Sequence, residues 1–289
     1  MNTKTDRQTV NGNDLYFPVE MIHNPNKTNS EYSRIVTGII DGEEMHLNYC
    51  SPRYELVPNA DIFPNIEKVL KDNNIQYRVQ YSHIDYVRFY ADYVITDKDL
   101  AYKMTGTNDT IQPMLKVQHS YNGLTKYMIT FGYFRLVCTN GLIIPVQEMK
   151  DYNLQIIGKH TAQIINSFAK LDEMLHKFVE NKLQVGLAIT GKFESLNKEA
   201  VLNPTDRIKE VLNAAKITAV ENSKLNTVEH ILGLVNTEAN MSGLGYNGKV
   251  TDWLIYNGVN QYINDDDRYK TAPETRMKTD SQVLEFMLA

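Results

Sequence analysis

The chain is short of the residues on which most recognisable chemistry is built. It has 2 cysteines and 1 tryptophan in 289 residues. Cys50 and Cys138 cannot make a metal site by themselves or a disulfide framework, and both sit beside apolar strand-like residues, as buried free thiols do. No apolar run approaches the ~18–20 residues of a membrane span. The opening MNTKTDRQTVNGND has no apolar stretch behind its Lys and Arg, so no export signal is expected. There is no H-E-x-x-H, C-x-x-C, G-x-S-x-G or Walker A pattern, and no cofactor or metal is expected. The formal charge of −5 and 42% hydrophobic content describe an ordinary globular chain, expected in the cytoplasm.

What is present reads differently in the two halves. Ile35–Ile40 and Met45–Tyr49 flank Asp41-Gly42, a strong hairpin signal. After a short strand at Tyr54–Val57, Ile62, Phe63, Ile66, Val69 and Leu70 fall on one face of a helix opened by Asn59 or Asp61. Pro64 is read into its first turn, and Asn73-Asn74 closes it. Ile75–Tyr81 and Tyr86–Thr96 then read as strands joined at Ser82–Asp85. Leu115–Ser120 and Lys126–Phe134 form a pair about Asn122-Gly123. A further turn at Asn140-Gly141 leads into Leu142–Val146.

From Gln155 to Gln184 the pattern predicts one long helix, followed by helices at Thr205–Val220, Asn226–Met241, Thr251–Ile263 and Thr279–Leu288. Asn226 with Glu229, and Thr279 with Gln282, have capping-box spacing. The expected fold class is α+β: an antiparallel sheet with one packed helix in the first half, and a helical second half. Residues 1–30 read as an irregular arm, 31–150 as the antiparallel domain, and 151–289 as a helical region packed on it.

Charge distribution supplies the functional signal. Between Thr110 and Gln147 there is no Asp or Glu, while Lys116, Lys126 and Arg135 are interleaved with Tyr121, Tyr127, Phe131, Tyr133 and Phe134. Cations that track phosphates, with aromatic faces that stack bases, suit single-stranded nucleic acid. The candidate binding residues are Lys116, Lys126 and Arg135 for phosphates, with Tyr121 and Tyr127 for bases. Strand alternation puts Tyr127, Ile129, Phe131 and Tyr133 on one face, which serves equally as core or as a ligand surface. Three other features have plain structural readings. The G-x-G-x-x-G in SGLGYNG follows a helix rather than a strand, Asp265-Asp266-Asp267 reads as a solvated loop, and His83-x-Asp85 is a weak metal motif.

The segments HSYNGLTKYMITFGYFRLVCTNGLIIP, SPRYELVPNADIF and TDWLIYNGVNQYI resemble a phage/plasmid-like protein family, the domain of unknown function nine-three-two. The positions that carry the likeness are His119–Gly123, Arg135, Val137, Cys138 and Asn140. Many members have Asn-Thr where this chain has Asn140-Gly141, so no role of that Thr carries over. The resemblance implies a phage or mobile-element product and supplies no catalytic residues. Two readings follow. One is a non-enzymatic single-strand binder or annealing protein that forms homo-oligomers. The other is a protein–protein or assembly component, such as a virion accessory or a host-defence antagonist, with phage or host proteins as partners. A nuclease using Asp85, Asp92, Asp97 and Asp99 is the enzymatic alternative. No membrane partner is expected.

Overall fold

A computed structural model describes residues 8–10, 15–27, 32–103, 110–135, 156–158, 161–218, 226–241, 249–264 and 273–289. The strands are β1 (Gln8–Val10), β2 (Val19–His23), β3 (Arg34–Ile40), β4 (Glu43–Cys50), β5 (Tyr77–Ile84), β6 (Arg88–Ile95), β7 (Tyr102–Lys103), β8 (Thr110–Ser120), β9 (Tyr127–Arg135) and β10 (Ile156–Gly158). The helices are α1 (Asn59–Asp72), α2 (Thr161–Glu180), α3 (Lys182–Leu196), α4 (Pro204–Ala214), α5 (Thr227–Met241), α6 (Asp252–Asn264) and α7 (Pro273–Leu288). The fold is α+β, with sheet in the first half and helix in the second. The expected turn at Asn140-Gly141, Cys138, SGLGYNG and the three aspartates lie outside the described residues.

The turns explain much of the strand pairing. Asp41 and Gly42 both take positive φ (54° and 83°), as the two-residue hairpin between β3 and β4 demands. The β5–β6 turn falls at Asp85-Tyr86, with φ of 53° and 54°, rather than across Ser82–Asp85. Two non-glycine residues in this region are strained. His83 compensates: its ring stacks on Tyr86 at 3.9 Å, and its Nδ1 accepts the Tyr86 N–H at 3.1 Å. That acceptor is therefore occupied, which removes it from the His83-x-Asp85 metal motif.

β2, β3 and β4 form one sheet, and β1-β5-β6-β8-β9-β10 form another, with β7 on the start of β8. β1 and β2 lie where an irregular arm is expected. Both join a neighbour through antiparallel backbone pairing, which needs no apolar alternation to advertise it. The segment Tyr54–Val57 is not a strand, and Pro64 sits in the second turn of α1 because the helix begins at Asn59. Asn74 (φ 57°) ends α1, with Ile75 N–H bonded to the Leu70 carbonyl and Asn74 N–H to that of Lys71.

The chain divides into two compact units, residues 1–97, 114–131 and 151–180 in one, and 98–113, 132–150 and 181–289 in the other. In the first, α1 and α2 cover one face of the large sheet. Phe63 meets Tyr81 edge-on at 5.6 Å, and Phe178 meets Phe131 at 4.9 Å. The helix expected over Gln155–Gln184 is instead β10, α2 and, after a break at Asn181, α3. Asn181 is where the chain passes into the second unit, so the two apolar stripes serve different cores.

In the second unit α3–α7 pack around Trp253, which is fully buried and 4.8 Å from Phe193. Asn226 caps α5 through Oδ1, which accepts the Val228 and Glu229 N–H groups. α7 starts at Pro273, ahead of the expected cap, and the Thr279 hydroxyl bonds the Thr275 carbonyl within the helix. Gly258 of α6 lies so close to α5 that a Cβ there would stand 2.7 Å from Val235 Cγ2 and 3.3 Å from the Ile231 carbonyl oxygen. Gly258→Ala is expected to cost about 1–3 kcal/mol by overpacking, read as a lower urea midpoint at unchanged m-value. Among the described residues no helix is long and apolar enough to cross a membrane.

Candidate nucleic-acid interface

The residues with the strongest sequence signal close on one another. Tyr121, read as a base-stacking residue, is 1% exposed. Its hydroxyl accepts the Asn59 N–H at 2.9 Å, satisfying a first-turn amide of α1 that has no partner inside the helix. Its carbonyl accepts from the Tyr54 hydroxyl at 2.9 Å and from Asn48 Nδ2 at 3.0 Å. His119 Nε2 donates to the Val57 carbonyl at 3.0 Å, which fixes the tautomer. Burial pushes the His119 pKa down to about 4. Ser120 Oγ donates to the Thr125 carbonyl and accepts its N–H, while Asn122 Oδ1 accepts the Leu124 N–H and Gly123 supplies φ of 69°. Residues 119–125 thus clamp the hairpin end to residues 48–59 through a buried hydrogen-bond cluster.

Tyr127 is also buried, at 3% exposure, and shares a hydrogen bond with Ser167 of α2 at 2.8 Å. Its row of β9 faces the helices. Neither Tyr121 nor Tyr127 offers a ring face to a base, so the expected stacking pair is corrected to core. Burial holds both phenols well above the usual tyrosine range.

The cations fare differently. Gln80, Asp92 and Lys116 form one cross-strand row of β5, β6 and β8, and Ser82, Tyr90 and Gln118 form the next. This row pattern puts Arg78, Arg88 and Lys116 on the face opposite the helices. Lys126 precedes helix-facing Tyr127 and so shares that face by alternation. Arg78 and Lys126 are exposed and Arg88 and Lys116 half-buried, while Ser82, Tyr90, Gln118 and Thr130 on the same face are buried, so the cations reach solvent at its margins. On β5, β6, β8 and the start of β9 the described part of this face carries four cations to one carboxylate. That carboxylate, Asp92, stands beside Lys116, so the strip is not free of acid as the chain order suggests.

Arg135 ends β9, and its side chain lies outside the described residues. Arg78 and Arg88 were not legible as site residues, since they come from strands whose own sequence is mixed in charge. Asp99 pairs with Lys182 at 3.8 Å, Asp92 faces Lys116, and Asp85 occupies a turn. No group of three His, Cys, Asp or Glu able to hold a metal ion occurs among the described residues.

An antiparallel sheet with helices on one face and a polar, cation-bearing other face makes this an α+β protein. The model of the family described as Domain of unknown function (DUF932) matches residues 46–284. The chain belongs to that family. No curated protein and no solved structure matches it.

Proposed function

We propose that this chain is a non-enzymatic binder of single-stranded nucleic acid, held through phosphates on the polar face of the large sheet. On the family resemblance, its setting is a phage or mobile element acting in the host cytoplasm. The observation that supports this is the gathering of Arg78, Arg88, Lys116 and Lys126 on one sheet face against a single carboxylate, in a chain of net charge −5. With Tyr121 and Tyr127 committed to the core, the grip is electrostatic and leaves bases free to pair, as strand annealing requires.

The test is fluorescence anisotropy of a labelled oligothymidylate against salt. Each phosphate contact on a single strand contributes about 0.7 to the slope of log K against log salt. Arg78→Ala/Lys126→Ala is expected to weaken binding at low salt and to flatten that slope by about 1.4. Tyr127→Phe is expected to leave the affinity of the folded protein unchanged. Absence of binding at low salt, or a slope the double variant does not change, contradicts the proposal.

A further inference from the structure

The three-stranded sheet carries a second surface of opposite character. Glu20 of β2, Thr37 of β3 and His46 of β4 form one cross-strand row, and Ile39 and Glu44 form the next on the same face. Pro18, Val19, Glu20, Thr37, Ile39 and Glu44 line a half-open groove of ≈ 330 Å³. Glu20 and Glu44 stand on opposite sides of β3 and one row apart, roughly 12 Å from each other between Cα positions. Both are exposed, and neither has a counter-ion among the described residues. Between them Ile39 is 50% exposed, and on the same face Tyr49 is 49% exposed, with its hydroxyl 3.2 Å from His46 Nδ1.

We propose that this groove docks an extended basic segment of a partner protein. A Lys or Arg side chain has the two parts that the groove complements: an apolar stem for Ile39 and Pro18, and a cationic head for Glu20 and Glu44. The neighbouring Tyr49 ring offers a further cation a π face. A nucleic acid is excluded from this face by the two carboxylates, so the site is separate from the phosphate-binding face.

The probe is fluorescent nonaarginine, titrated by anisotropy at low salt, with nonaglutamate as control. Glu20→Gln/Glu44→Gln is expected to weaken nonaarginine about tenfold, from two exposed ion pairs. Ile39→Ser is expected to weaken it about fivefold, through the stem contact that charge alone would not supply. Glu229→Gln/Glu285→Gln, an equal charge change on helices α5 and α7, is expected to change nothing. Equal loss in both double variants, unchanged affinity in the first, or an Ile39→Ser variant that binds as wild type overturns the proposal. Loss of oligothymidylate binding does not bear on it, because the two probes carry opposite charge.

Discussion

Tyr121→Phe is expected to lower the unfolding free energy by about 1–3 kcal/mol, although it removes one oxygen atom. The Asn59 N–H would remain buried at the start of α1 with its acceptor gone, and an unmade buried hydrogen bond costs more than a made one contributes. Tyr121→Ala is expected to cost about 3–5 kcal/mol, because the ring packs against Phe89 at 4.9 Å and Phe17 at 6.0 Å. Urea titration of both variants checks the pair. A Phe variant of wild-type stability would show that the hydroxyl is dispensable to the clamp.

The second large effect depends on pH. His119 in the folded chain has a pKa of about 4, against the ordinary histidine value in the unfolded chain. Between these values the unfolded chain binds the extra proton, so stability rises with pH across the window. The contribution is full above about pH 6.5, is lost as pH falls, and levels below about pH 4, a total of about 3 kcal/mol. His119→Gln keeps an N–H donor for the Val57 carbonyl and removes the titration. Unfolding free energies at pH 7 and pH 5 are expected to differ more for the wild type than for this variant. Equal differences would mean that His119 protonates in place without strain.

The sequence makes the local geometry legible where a residue type has a backbone consequence. Asp41-Gly42 and Asn122-Gly123 mark their turns because left-handed φ selects those residues. The Asn226 cap and the α1 stripe are legible for the same reason, since each is a contact within one turn. The site is legible only along the chain. Lys116 and Lys126 stand out because their own stretch lacks acid, but Arg78, Arg88 and Asp92 reach the same face from other strands. Alternation groups Tyr127 with Ile129 and Phe131, and it cannot say which side the helices take. β1 and β2 leave no mark in the sequence because short strands on a neighbour's edge are held by backbone bonds that side chains do not encode.

The same distinction applies to the family likeness. Segments 51–63 and 119–145 carry that likeness as two separate stretches of sequence. In the fold Tyr54, Val57 and Asn59 from one bond His119, Ser120 and Tyr121 from the other. These residues hold α1 to the hairpin end, and the cations beside them carry the proposed binding.

Amide hydrogen exchange at Asn59 tests this clamp most directly. First-turn helix amides ordinarily lack an acceptor and exchange freely. The Asn59 amide is expected to be protected in the wild type and to lose that protection in Tyr121→Phe, relative to amides in the middle of α1. An Asn59 amide that exchanges at the unprotected rate in the wild type would contradict it.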